Sequence, residues 1–179
     1  MSQDFYAAAS RGECAEIHRM LACDGSLVYG RDEQGATALH RAAQEGSVKA
    51  VVLLLDAGSD PNTQDREGLG ALHVCASAGA ARALIANGAK LELRSCCGQT
   101  PLVTQASAKG RREGVVEVLL KAGADVGSRD AHGNTALTVA LGHERHALSA
   151  LLRRYGAMDS WSGPEATAAA RRVRWPDPV

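Results

Sequence analysis

The sequence predicts an all-α fold built as a stack of short helix pairs, and three observations carry that reading. A block of residues recurs along nearly the whole chain: "DEQGATALHRAAQEG" from Asp32 returns as "DREGLGALHVCASAG" from Asp65, 33 positions later. Each block runs from a polar, glycine-ending turn into apolar residues at helical spacing. Aromatic residues make up only 3% of the chain. Alanine and leucine must therefore fill most of the interior, which suits close-packed helices better than a sheet sandwich.

The elements follow in order. "FYAAASRGECAEIHRMLACDG" carries the pattern without its opening turn, a partial repeat over residues 4–31. Full repeats follow at 32–64, 65–94, 95–129 and 130–159, the last two opening on "SCCGQTPLVTQASAKG" and "DAHGNTALTVALGHE". In the block from Asp32, "DEQG" is a turn and Thr37 caps a helix starting at Ala38. Leu39, Ala42 and Ala43 share one face of it, and Gly46 ends it. Val48, Val51, Val52, Leu54 and Leu55 form the apolar face of a second helix, closed by Gly58. So short a pair cannot bury that face alone, and stability must come from stacking on neighbours.

Two blocks depart from the period. The repeat at 65–94 is short between Gly79 and Gly88, which predicts a second helix almost a turn shorter than its counterpart. The repeat at 95–129 carries two extra residues around "SAKGRREG". Uneven curvature of the stack is expected.

The 33-residue period, with "TALH" at Thr37–His40 and "TPLV" at Thr100–Val103, resembles the ankyrin repeat family over about Asp4 to Asp159. The resemblance implies an all-α ankyrin-repeat solenoid of about five stacked helix-turn-helix units joined by β-hairpin-like turns. It also implies a non-catalytic module that binds proteins through its turn tips and the inner face of its first helices. By the same resemblance, the His40 and His73 rings tie each helix start to neighbouring backbone. Gly70 stands where the repeat before it has Thr37, so His73 is expected to be less well held.

Bulk properties narrow the classes. Lys plus Arg and Asp plus Glu both total 20, so formal net charge is zero. That disfavours nucleic acid or an anionic membrane as a mainly electrostatic partner. Five cysteines without C-x-x-C spacing suit a reducing compartment better than a disulfide framework or zinc site. "MSQDFYAAAS" does not read as a signal peptide, and the longest aliphatic run, Val51–Leu55, is far below membrane-spanning length. A cytoplasmic location is expected, with the nucleus as the alternative.

Candidate chemistry is sparse. "GHERH" at Gly142–His146 places two histidines at i and i+3, but across an expected helix junction and off the H-E-x-x-H pattern. Cys96 and Cys97 sit at a turn tip, as a redox-sensitive pair or simply two small contact residues. "KGRREG" at Lys109–Gly114 is a basic loop suited to an acidic partner or to water. There is no phosphate-cradling glycine motif and no G-x-S-x-G, so no catalytic residue, metal or cofactor is assigned.

A partner surface can be placed from helix geometry. If Leu39, Ala42 and Ala43 face the core, then Arg41, Gln44 and Glu45 face away. The matching stripes are Ala7, Ser10 and Arg11; Val74, Ser77 and Ala78; Thr104, Ser107 and Ala108; Val139, Gly142 and His143. An i,i+4 pair of Arg41 with Glu45 is the alternative use of those two charges. The expected surface is charged at its first half and small and uncharged from Val74 to Gly142, a shallow trough for an apolar segment. Turn tips add Arg31, Glu33, Gln34, Arg66, Glu67, Arg94, Cys96, Cys97, Arg129 and His132.

Beyond Ser160 the repeat stops. Ser162-Gly163-Pro164-Glu165 is a helix-start signal, and an alanine-rich helix would end before Pro176. Three readings stay open for 160–179: a capping helix, a disordered tail, or a docking segment anchored by Trp161, Arg171, Arg174 and Trp175. The functional expectation is an adaptor with protein partners, a monomer alone or a subunit within a larger complex. The alternative is a constitutive architectural or regulatory subunit of a large assembly, docked partly through that tail.

Overall fold

A computed structural model describes residues 2–110 and 112–158 of the 179-residue chain. The tail segment and its Trp161, Arg171, Arg174 and Trp175 lie outside the described residues. Among the described residues ten α-helices follow one another: α1 (Ser2–Arg11), α2 (Cys14–Cys23), α3 (Ala38–Glu45), α4 (Val48–Asp56), α5 (Ala71–Val74), α6 (Ala78–Ala86), α7 (Pro101–Ser107), α8 (Glu113–Lys121), α9 (Ala136–Gly142) and α10 (His146–Arg154). A 3-10 turn spans Gly25–Tyr29, and no strand occurs among the described residues.

The helices form two rows. The first helices pack in sequence, α1 on α3, α3 on α5, α5 on α7 and α7 on α9. The second helices do the same from α2 to α10. One continuous core runs the length of the stack, built from Leu39, Leu54, Leu84, Leu102, Leu119, Leu137 and Leu148 with alanines between them. The alanines let neighbouring helices approach closely. Gly46, at φ 75°, closes α3 in a left-handed conformation that a side chain would resist.

The turns that open the repeats close as hairpins. Asp32, Asp65 and Asp130 each donate a backbone N–H to the carbonyl four residues on, Ala36, Leu69 and Asn134, at 2.9 Å. The same aspartates accept the N–H groups of residues i+2 and i+4 at 2.8–3.0 Å. A short carboxylate thus satisfies backbone donors that a bare turn would leave open. Successive tips are joined by Arg66 N–H to Gln34 O, Cys96 N–H to Glu67 O, and Ala131 N–H to Cys97 O.

Several expectations change. The shortened element of the repeat at 65–94 is its first helix. α6 has nine residues, as α4 does, whereas α5 has four. Ser77 precedes α6 as Ser47 precedes α4, and its hydroxyl accepts the Ala80 N–H at 3.3 Å. Val48 and Val52 were expected on the buried face of α4 but are 39% and 40% exposed. Ala50 joins Val51, Leu54 and Leu55 inside instead. The face is narrower because α2 and α6 cover only that side of the helix.

The truncation of α5 leaves carbonyls without helical partners. Gln105, 1% exposed, fills the gap: its amide Nε2 reaches Leu72 O at 3.1 Å, His73 O at 2.9 Å and Cys75 O at 2.8 Å. Arg112 adds a bond to Cys75 O at 3.2 Å. Cys75 is buried beside them, and desolvation pushes its thiol up to about 11, so it stays protonated.

The histidines behave as braces. His40 Nδ1 accepts the Thr37 N–H at 3.1 Å and lies 2.9 Å from Thr37 Oγ1, while Nε2 meets Leu69 O of the next repeat at 3.0 Å. Those partners fix a neutral ring protonated on Nε2. His73 makes the same two backbone contacts, to Gly70 N–H at 3.0 Å and Gln99 O at 3.1 Å. It is therefore held nearly as well as His40, and Gly70 removes only the hydroxyl contact. Burial lowers both imidazole pKa values, which keeps the rings neutral. Thr138 substitutes in the last repeat by accepting the Thr135 N–H at 2.8 Å.

Val103 substitutes with nothing, and the fully buried Thr100 hydroxyl has no partner among the described residues. Replacing Val103 with histidine is expected to stabilise the fold by about 0.5–1.5 kcal/mol. The ring would accept from Thr100 and donate to Asn134 O, the counterpart of Leu69 O and Gln99 O. Denaturant titration reads it; a loss of stability would mean the site is closed to a ring.

Candidate protein-binding surface

The surface builds from two turn tips and two first helices. Asp32 anchors it. Burial disfavours its charged form, but Arg41 and the Ala36 and Gln34 N–H groups outweigh that and hold its carboxyl below the usual carboxylate range. Arg41 Nε meets Asp32 Oδ2 at 2.9 Å, and its other nitrogens reach Gln34 Oε1 at 2.8 Å and Gln44 Oε1 at 3.3 Å. The alternative Arg41–Glu45 pair is not formed; the guanidinium lies back along the turn instead. Arg41 thereby splints the tip against α3, a partly buried contact rather than a loose surface ion pair.

Seven of the residues placed on the partner surface from the sequence meet in one cleft of about 350 Å³: Glu33, Gln34, Arg41, Gln44, Arg66, Glu67 and Val74. Val74 is half-buried and apolar, while Glu33, Gln44, Arg66 and Glu67 are exposed at the sides. Glu33, Arg66 and Glu67 make no side-chain ion pair or hydrogen bond among the described residues, and neither does the nearby Glu45. The cleft thus offers both charge signs, two amides and an apolar contact on a rigid frame.

The remaining residues separate. Thr104 and Ser107 are partly exposed on α7, Ala108 directly follows it, and Cys96, Cys97 and His132 are exposed at tips. Gly142 ends α9 and the exposed His143 follows it, with His146 opening α10 across the expected junction. Ser77 and Ala78 do not continue the stripe. Ser77 caps and Ala78 begins the second helix α6, where Ala78 lines a groove with Arg82 of the same helix and Gly114 of α8. The reason is the missing turn of α5, which moves both residues past the bend. Val139 is 2% exposed and belongs to the core, a branched apolar side chain withdrawn from water. The uncharged trough from Val74 to Gly142 is therefore interrupted twice.

Arg31, Arg94 and Arg129 stand at tips but are engaged with backbone. Arg31 Nη1 donates to Gly35 O at 3.3 Å and to Gln64 O of the next repeat at 2.7 Å. Gln64 Nε2 repeats this with Gly68 O and Arg94 O, and Arg94 Nη1 with Gly98 O and Arg129 O, at 2.6–2.8 Å. Sequence reading missed this ladder, although one long donor immediately before each turn was its visible sign.

No helix among the described residues is long and apolar enough to cross a membrane. Comparison with known proteins agrees with the architecture. A sequence model of ankyrin repeats in three copies matches residues 66–160, and one of ankyrin repeats in many copies matches residues 39–86. The chain is 38% identical over 136 residues to the neurogenic locus notch homolog protein 2 of Homo sapiens, covering 74% of this chain and 5% of that protein. It is 31% identical over 139 residues to the B-cell lymphoma 3 protein homolog of Mus musculus, covering 75% and 30%. It is 28% identical over 159 residues to the transient receptor potential cation channel subfamily A member 1 homolog of Caenorhabditis elegans, covering 87% and 13%. The chain thus spans less than a third of the length of each of these relatives. With the 33-residue period, the two rows of helices and the histidine braces, these matches place the chain in the ankyrin repeat family, a non-catalytic protein-interaction fold.

Proposed function

We propose that the protein is an adaptor that recognises another protein through the cleft between the tips at Glu33–Gln34 and Arg66–Glu67, floored by Val74. The observation that supports this reading is the convergence there of charged side chains without partners on a frame already braced by Asp32, Arg41 and His40. Preorganised groups lose little conformational entropy on binding, so their contacts count almost in full. An interface centred there and spreading over α3 and α7 would have room for the roughly 800 Å² per partner that stable recognition needs.

A photo-crosslinking side chain at Gln44 or Arg66 is expected to capture a discrete partner in cells. The same group at Lys49, on the opposite row, is expected to capture none of it. Adding Val74→Glu should weaken capture at least about tenfold, the cost of a charge placed against an apolar contact. Equal capture from Lys49, or indifference to Val74→Glu, would reject the cleft as the binding surface.

A further inference from the structure

The stack ends at α9 and α10 with three interactions left open among the described residues. The first is apolar. Ala9, Ala43 and Ala106 hold one register position on α1, α3 and α7, and each is fully buried by the repeat that follows. Leu141 holds that position on α9 and is 41% exposed. The second is a donor. Arg31, Gln64 and Arg94 each bridge their own turn to a carbonyl of the next repeat, while Arg129 Nη1 donates to Gly133 O at 2.8 Å and to no further repeat. The third is an acceptor. Gln34, Glu67 and Cys97 each accept a backbone N–H from the next tip, and their counterpart, the His132 carbonyl, accepts none.

The chain leaves α10 in register to meet the first two; at the third, the register puts Pro164, which has no N–H, at the donor position. Gly58, Gly88, Gly123 and Gly156 close the second helices with φ between 84° and 96°. Counting on from the first three, the ladder position comes six residues later each time: 58 to 64, 88 to 94, 123 to 129. The same count from Gly156 lands on Ser162, the sequence position that corresponds to Gln64, Arg94 and Arg129. Next come Gly163, Pro164 and Glu165, a helix-start signal, then Ala166, Ala169, Ala170 and Val173 at i, i+3, i+4 and i+7. A row of alanines is complementary to a protruding leucine. Internal repeats pack alanine at this position of α1, α3 and α7; this end reverses the sizes.

We infer that residues 160–175 of this chain dock on the end of the stack, with the Ser162 carbonyl on Arg129 and the Ala166–Ala169–Ala170–Val173 face over Leu141. The segment completes the ladder without adding a full repeat. Burial of one leucine against it contributes in the same way as any internal layer.

The test uses the full chain and two variants: Ala169→Glu with Ala170→Glu, and Leu141→Ser. Hydrogen–deuterium exchange reads the amides of α9 and of Ala131–Asn134. The tail variant is expected to exchange at least about tenfold faster at these amides, with α3 and α5 unchanged. Leu141→Ser should match it, and both should red-shift tryptophan emission through Trp161. Light scattering separates the occupants. A monomer with this pattern supports the docked tail. Protection that persists in the tail variant overturns the proposal, in favour of a second copy if the mass is doubled and of an uncovered end if it is not.

Discussion

Replacing Gln105 with leucine is expected to lower the unfolding free energy by about 2–4 kcal/mol, one of the largest effects a polar substitution can have here. Leucine is close to glutamine in volume and suits a site that is 1% exposed, so little of the loss would come from a cavity. The loss comes from the carbonyls of Leu72, His73 and Cys75, all within 3.1 Å of the Gln105 amide nitrogen. Arg112 still reaches Cys75 O, so two acceptors are stranded in a dry environment. Gln105→Glu is expected to be worse, because it sets an acceptor against acceptors and buries a charge. Urea titration followed by circular dichroism measures both. Gln44→Leu, on the exposed side of α3, should move stability by no more than about 0.5 kcal/mol. If Gln105→Leu matches that control, the amide is not what closes the short helix.

Gln105 also marks how far the sequence can be read. The period placed every helix pair, because turn residues and apolar spacing are local signals. It also put Arg41 and Gln44 on one face of α3, because residues at i and i+3 are neighbours on a helix. What failed was the position of a three-residue deficit. Aligning Gly79 with Gly46 puts the loss in the second helix. The structure instead aligns Ser77 with Ser47 and Ala80, Ala81 and Leu84 with Ala50, Val51 and Leu54. α6 keeps its full length because it must cover both α4 and α8. The turn that could be lost was the end of α5, on the row where a buried amide could replace it. A polar residue at the register of Ala42 was the available warning, since most buried polar side chains have a hydrogen-bond partner. The ladder of Arg31, Gln64 and Arg94 escaped for a different reason. Its bonds join repeats, and no local pattern records which carbonyl lies across the gap.

Arg145→Met is expected to cost about 2–4 kcal/mol, through contacts of the same kind one repeat further on. Arg145 occupies the position of Ser47 and Ser77, immediately before the second helix, and its side chain is only 15% exposed. Its Nη1 approaches the carbonyls of Gln105, Ala106 and Ala108 at 3.3, 3.1 and 2.9 Å, and Nη2 reaches Gly110 O at 2.7 Å. These are the carbonyls at and beyond the end of α7, where unpaired acceptors and the negative pole of the helix coincide. Glu113 lies 4.0 Å away and contributes little by comparison. About 0.5 M salt should therefore leave most of the difference between wild type and variant intact. Arg145→Lys is expected to recover less than half of the loss, because an ammonium cannot spread donors over four carbonyls as the planar fork does. The two caps are linked in series: Arg145 holds the backbone of Gln105, whose side chain holds α5. A double-mutant cycle of Gln105→Leu and Arg145→Met should show a coupling of about 0.5–3 kcal/mol. Strict additivity would mean that the two helix ends are closed independently, and that the shortened first helix is no concern of the repeat two layers away.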